Sequence, residues 1–210
     1  MVKTAILVSG GGTNLQAVID AHLFGEIPNC ELTAVISSNA DAYALIRAKS
    51  ANIPSNVVDW SLFPNPMSFN TAILQKLEDL DVELVALAGY TCPVGGAVLR
   101  RYQNRIINIQ PSLLPAFSDC SGATMEPYEA AIRSGVKLSG ATAYFVTDAA
   151  GGPIILQQAV EVWEGDTART LQRRIMEEAE WKILPKAMAL YCQGRLSVED
   201  GIVHVAGENQ

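Results

Sequence analysis

The chain has 210 residues, 49% of them hydrophobic, and a formal net charge of −7. That length suits one α/β domain with a core of its own, spanning 1–210. The acidic balance, with no Lys/Arg block longer than "RR", argues against a nucleic-acid groove or an anionic membrane surface as partner.

The first half alternates β-branched runs with helical patterns bounded by turn residues, as a parallel sheet with crossover helices requires. "TAILVS" reads as the first strand. In "NLQAVIDAHLFG" the spacing places Leu15, Val18, Ile19 and Leu23 on one helical face, and Gly25 stops the helix. "ELTAVISS" and "SNVVD" are strands around the helix "DAYALIRAKSAN". "FNTAILQKLEDL" is a helix ahead of "VELVALAG", whose continuous hydrophobicity suits a strand buried on both faces. A short helical patch ending at "LRRY" leads to the strand "RIINI", and "EPYEAAIRSG" is a further helix.

Beyond it, "KLSGATAYFVT" and "PIILQQAVEV" flank the tight "DAAGG" and read as a hairpin added to the sheet. The segment from Gly165 to Gly194 reads as one long helix, with Asp166 or Thr167 as N-cap and with Pro185 expected to kink or divide it. A small hairpin, "RLSVEDGIVHV", follows. The fold class is therefore α/β and Rossmann-like: a mostly parallel central sheet flanked by helices, with a C-terminal hairpin and long helix.

No apolar run reaches spanning length, and "MVKTAILVSGGG" lacks the pattern of a secretory signal. Cys30, Cys92, Cys120 and Cys192 are widely separated and form no CxxC, which suggests neither zinc nor a disulfide framework. A cytoplasmic protein with reduced thiols and no metal is the expectation.

Three segments could carry chemistry. "SGGGTNLQAV" joins the first strand to the first helix. Gly10, Gly11 and Gly12 let the backbone approach a ligand, and Thr13 and Asn14 sit at a helix N-terminus that favours an anion. Its spacing fits neither a dinucleotide fingerprint nor a P-loop. The segment is either a phosphate cradle or a glycine-rich turn with Thr13 as cap. "LAGYTCPVGG" follows a buried strand, where open α/β sheets bind ligands; backbone groups from Tyr90 to Val94 could read a flat heterocycle, or the segment is an ordinary connection.

"NIQPSLLP" places the amides of Asn108 and Gln110 on one side of a strand end, with Pro111 holding Gln110 extended. Asn108 could donate to a developing oxyanion. Asp148, in the facing "TDAAGGPIILQ", is either a turn residue or a functional carboxylate.

These strings, with "NRIINIQPSLLPAF", "GVKLSGATAYFVT", "GGPIILQQAVEV", "GDT" and "EEAEWKILP" in the same order, resemble the phosphoribosylglycinamide formyltransferase family over nearly the whole chain. The resemblance implies the formyltransferase fold, and transfer of formyl from 10-formyltetrahydrofolate to the amine of glycinamide ribonucleotide in purine synthesis. It implies a phosphorylated metabolite and a folate as partners, and a monomer or homodimer. Gly12, Thr13 and Asn14 would hold the phosphate, and Glu180 would contact the glycinamide part. Thr91, Cys92, Pro93 and Val94 would face the pterin, while Asn108 matches the family's catalytic asparagine. Against the same pattern, Gln110 stands where the family has histidine. Ala150 stands at the assisting aspartate, with Asp148 at an earlier, less critical one. Tyr128 and Tyr144 stand where relatives commonly have histidine, and Cys92 where several have arginine.

An imidazolium can stabilise an oxyanion and supply a proton, and a nearby carboxylate holds its pKa up for that role. Gln110 offers only a neutral N–H. The expectation is a divergent site with weak or altered activity, or alternatively a paralogue that binds a phosphorylated metabolite or folate, or formylates another amine.

Overall fold

The structure, a computed structural model, describes residues 1–120, 124–148 and 151–207. Seven strands form one sheet. In chain order they are β1 (Val2–Val8), β2 (Cys30–Ser37), β3 (Ser55–Val57), β4 (Leu84–Leu87), β5 (Ile106–Gln110), β6 (Leu138–Phe145) and β7 (Ile154–Glu161). Their spatial order is β3-β2-β1-β4-β5-β6-β7. The first five are parallel, and β6 and β7 are antiparallel additions. A separate hairpin pairs β8 (Leu196–Glu199) with β9 (Ile202–Val205).

The connecting helices are α1 (Thr13–Leu23), α2 (Tyr43–Ser50), α3 (Pro66–Asp79), α4 (Gly96–Arg101) and α5 (Glu126–Ser134). Then come α6 (Ala168–Ile175), a π-helical turn over Met176–Glu180, and α7 (Trp181–Cys192). Local chemistry sets several boundaries. Pro66 opens α3 behind Asn65, whose side chain accepts from the Ser68 N–H at 2.9 Å. Gly135 closes α5 in the left-handed region, at φ 66°.

The sheet separates two apolar layers. On one face Ile6, Val8, Leu84, Ala86, Ile107 and Ile109 pack with Leu15, Val18 and Ile19 of α1 and with buried residues of α6 and α7. On the other, Ala5, Leu7, Val85, Leu87 and Ile106 pack with Phe69, Ile73 and Leu77 of α3 and with Val98 of α4. All four residues of β4 are buried, as its unbroken hydrophobicity requires.

Two expectations need correction. Leu23 is 70% exposed rather than on the buried face of α1: it is the helix's last residue, and the chain turns away at Phe24 and Gly25, whose φ is 75°. Pro185 does not divide the C-terminal helix; it lies buried inside α7. The interruption falls upstream, in the π turn, while Thr167 caps the start through a reciprocal box with Thr170. Asp166 instead accepts from the Trp163 N–H and from Arg174.

Candidate active site

Strand order reverses at β1: the chain leaves it toward β2 and returns on its other side as β4. Loops leaving two such strands diverge and open a crevice. Here the crevice is a cavity of about 360 Å³, bounded by Ser9–Asn14 after β1, by Ala88, Gly89 and Thr91 after β4, and by Tyr128, Gln172, Met176 and Glu180.

The glycine loop is held rigidly. Gly12, the N-cap of α1, has φ +71°, and a Cβ there would lie 2.7 Å from Ala44 Cβ; only glycine permits that approach to α2. Gly10 C=O accepts from the Ala44 N–H at 3.0 Å, and Gly11 C=O accepts from Arg47 Nε at 2.9 Å. With these carbonyls tied back to α2, α1 presents its first N–H groups, which have no partners within the helix. Gly12, not Thr13, is the cap. Thr13 and Asn14 therefore remain on the cavity wall.

Asn14 Nδ2 donates to Glu180 Oε2 at 2.8 Å, and Tyr128 Oη donates to Glu180 Oε1 at 3.3 Å. Glu180 is 5% exposed, and burial pushes its pKa above the ordinary carboxylate value despite both donors. Burial and the facing Glu180 also raise the Tyr128 phenol. Asn14 Oδ1 is buried without a hydrogen-bond partner among the described residues, leaving a free acceptor beside the cavity. Glu180 ends the π turn, and such widened turns recur where a helix must aim a side chain that regular geometry would misdirect.

Asn108 lies in a row that crosses the sheet: Leu7, Leu87, Asn108 and Tyr144 are register partners in β1, β4, β5 and β6. Side chains on a strand alternate faces, so Asn108 and Gln110 share the face of Ile106, with Tyr144 and Thr142 opposite them. Asn108 Nδ2 donates to Tyr144 Oη at 2.9 Å. Gln110 is buried, and its Nε2 donates to the Cys120 carbonyl at 3.0 Å. Thr142 Oγ1 donates to Ser112 C=O at 2.7 Å and accepts from the Leu114 N–H at 3.0 Å. Both strand ends and the loop between Pro111 and Pro115 are thereby pinned.

The loop after β4 is fixed from α3. Asn70 Oδ1 accepts from the Gly95 N–H at 2.6 Å, and its Nδ2 donates to Pro93 C=O at 3.1 Å. The Thr91 N–H donates to Ser9 Oγ at 3.0 Å, joining this loop to the start of the glycine loop. Thr91 lines the cavity, whereas Cys92 and Val94 pack against the apolar layer around α3.

The structure thus brings Gly12, Thr13, Asn14 and Glu180 to one cavity with Thr91, and sets Asn108 and Gln110 side by side on β5. Asp148 is exposed in the β6–β7 connection; Ala150 lies outside the described residues. Ser9, Gln172 and Met176, not expected from the sequence, also line the cavity. The regular spacing of Gln172, Met176 and Glu180, four residues apart, was a usable sign of one helical face. Among the described residues no group of His, Cys, Asp or Glu could hold a metal ion, and no helix is long and apolar enough to cross a membrane.

Residues 2–188 match the formyl transferase family, so this open α/β sheet and the loops around its crevice form a formyltransferase domain. The chain is 38% identical over 209 residues to the phosphoribosylglycinamide formyltransferase of Haemophilus influenzae, covering 99% of this chain and 95% of that one. It is 37% identical over 199 residues to the trifunctional purine biosynthetic protein adenosine-3 of Homo sapiens, covering 93% of this chain and 19% of that protein. The crystal structure of glycinamide ribonucleotide transformylase 1 from Symbiobacterium toebii superposes with a TM-score of 0.91 at 44% identity, covering 98% and 94% of the two chains. This chain belongs to the phosphoribosylglycinamide formyltransferase family.

Proposed function

We propose that the chain transfers a formyl group from 10-formyltetrahydrofolate to the amine of glycinamide ribonucleotide in purine biosynthesis, at a reduced rate. The observation that carries this reading is one cavity holding both an anion-ready glycine loop and, across from it, the buried carboxylate of Glu180. A ligand with a phosphate at one end and an amine or amide N–H at the other matches both walls. Gly12, Thr13 and Asn14 take the phosphate, and Glu180 takes the glycinamide part. Thr91, Cys92, Pro93 and Val94 present backbone groups to the pterin from a loop that Asn70 keeps rigid.

In the reaction the acceptor nitrogen attacks the formyl carbon, and the carbonyl electron pair moves onto oxygen. The tetrahedral adduct then collapses with cleavage of the bond to N10, which gains the proton that the acceptor nitrogen loses. Asn108 polarises the carbonyl. Gln110 replaces the imidazole of the family pattern with a neutral amide that exchanges no proton near neutral pH. Losing an oxyanion donor costs roughly a hundred- to a thousandfold, and losing proton transfer costs roughly a further hundredfold or more. Asp148, exposed in the facing connection, is the nearest counterpart of the family's loop carboxylates.

The test is incubation of the purified chain with both substrates, measuring formylated product over time, together with calorimetric titration of each substrate alone. Slow steady product with binding of both is the expected result. A second reading, a non-catalytic paralogue that binds a phosphorylated metabolite or folate, draws on the engaged donors of Asn108 and Gln110. Binding with no product over long incubation selects it. Product only from a different acceptor amine identifies a formyltransferase with altered specificity.

A further inference from the structure

The missing imidazole leaves the proposed reaction short of a donor to the tetrahedral oxygen, and the partner of Asn108 offers one. Tyr144 lies directly opposite Asn108 in the β5–β6 ladder, on the same sheet face, and the side chains meet at 2.9 Å. The amide nitrogen is the donor in that contact, since an amide N–H₂ has no acceptor capacity. The phenol oxygen therefore accepts from Asn108, and its own O–H points elsewhere. Donation into the phenol oxygen polarises that O–H and makes it the stronger donor. Burial raises the phenol pKa, with Asn108 opposing the rise, so the hydroxyl stays protonated at neutral pH.

Both residues are only partly buried, at the end of the row beginning Leu7–Leu87. One or two residues further along β1 and β4 stand Ser9 and Ala88, the start of the cavity wall. The pair sits on β5 and β6, the next strands beyond β4, and is fixed by two paired strands rather than carried on a loop.

We propose that Tyr144 is a catalytic residue: its hydroxyl donates the hydrogen bond that stabilises the tetrahedral oxyanion, with Asn108 orienting it. The inference rests on the formyl-transfer reading above. Asn108 holds the phenol through one amide hydrogen, which leaves Oδ1 to accept an N–H of the attacking amine. As the C–N bond forms, the carbonyl pair moves to oxygen and meets the Tyr144 O–H. As the adduct collapses, that pair returns, N10 departs and takes the amine's proton through solvent. Tyr144 ends the cycle with its own proton.

The experiment compares wild type, Tyr144→Phe, Tyr144→His, Asn108→Ala and the Asn108→Ala/Tyr144→Phe double variant, with 10-formyltetrahydrofolate and glycinamide ribonucleotide each varied at saturation of the other. Tyr144→Phe keeps the ring and its packing. Its kcat is expected to fall roughly a hundred- to a thousandfold, with KM for both substrates changed by less than about threefold, the pattern of a contact made only in the transition state. The double variant should be within about tenfold of the worse single one, because the two residues act as a unit. Tyr144→His retains a ring N–H and should exceed the Phe variant by at least about tenfold. A Phe variant with wild-type kcat, or His and Phe variants of equal kcat, overturns the assignment. A wild type that transfers formyl to no acceptor overturns the functional reading and the assignment with it. The two failures are distinct, since the second appears before any substitution is made.

Discussion

Asn14, in the first turn of α1, donates at 2.8 Å to Glu180, 166 positions later at the end of the π turn. This single bond closes the crevice from the helix side. It joins the first turn of α1, beside the glycine loop, to the buried carboxylate across the crevice, adding to the Tyr128 contact that holds the other carboxylate oxygen.

Glu180→Gln tests that coupling through pH. The folded-state pKa of Glu180 lies above its ordinary value of 4.5, with burial the main cause. Between the unfolded and folded values the native chain therefore binds more protons than the unfolded one, so this group's contribution to stability is present below the unfolded pKa and is lost as pH rises through the folded one. Glutamine cannot ionise. Melting temperatures of both proteins from acidic to neutral pH should show the difference moving in favour of Glu180→Gln as pH rises. Calorimetry should show weaker binding of glycinamide ribonucleotide, by roughly tenfold to a hundredfold, the value of one charge-assisted hydrogen bond. A pH-independent difference would mean that the carboxyl is not protonated more readily in the folded chain.

Gly12 and Gly10 lie two residues apart in the glycine loop but should respond differently to alanine. At Gly12 the backbone is left-handed and the new Cβ would press on Ala44; at Gly10 nothing lies within 4 Å and no positive φ is involved. Gly12→Ala should cost on the order of 1–3 kcal/mol from strain alone and should displace α1 from α2, weakening ribonucleotide binding. Gly10→Ala should leave stability within about 0.5 kcal/mol of wild type. Chemical denaturation of both variants measures the contrast.

Asp166 and Arg174 make the strongest ion pair of the described residues, with contacts of 2.6 and 2.7 Å and side chains only 6% and 10% exposed. Asp166 also accepts from the Trp163 N–H and from Thr170 Oγ1, and the guanidinium lies 3.5 Å over the Trp163 ring. Arg174, first, and then these hydrogen bonds hold the Asp166 carboxyl well below the usual range. Its stabilisation is thus present above the unfolded pKa near 3.8 and is lost as pH falls toward the depressed folded value. Asp166→Ala should destabilise the fold by about 1–3 kcal/mol, because the guanidinium is left with the Glu161 carbonyl and the Trp163 ring but without its charged partner. The deficit should shrink in strong acid, where wild type loses the pair as well; equilibrium unfolding at neutral and acidic pH checks both points.

The sheet was legible because its information is local. The apolar run of β4, the alternation along β6 and β7 and the Thr167 cap each state their structure within a few residues. Asn108 and Gln110 were legible as a pair because a strand repeats every two residues. Pro185 misled because helix breaking was read from one residue type. Its missing N–H is tolerated inside α7, and the helix changes pitch several residues earlier, where no residue type announces a π turn. Leu23 misled because periodicity carries no information about where the core ends. The contacts Asn14–Glu180, Asn108–Tyr144 and Gln110–Cys120 were not legible at all. Two of the three join distant segments, and Cys120 reaches Gln110 only because the intervening loop folds back.

That loop shapes the last prediction. Gln110→His restores the residue type of the family pattern, yet the structure shows what the imidazole must replace. Gln110 is buried, opposite Thr142, and its amide ties β5 to the Cys120 carbonyl at 3.0 Å. An imidazole that takes over this tether spends one N–H on a neutral carbonyl, and among the described residues no carboxylate is hydrogen-bonded to Gln110 to favour the ring's protonated form. Burial without a counter-charge holds histidine neutral. The single change should therefore alter kcat by less than about tenfold, well short of the hundred- to ten-thousandfold that positioned proton transfer supplies, and no new inflection should appear near roughly pH 6.5, the ordinary histidine value. The pH profile of kcat for wild type and Gln110→His decides it. A large gain in rate with a histidine-like inflection would mean that the rest of the proton-handling machinery is intact and that Gln110 alone sets the pace.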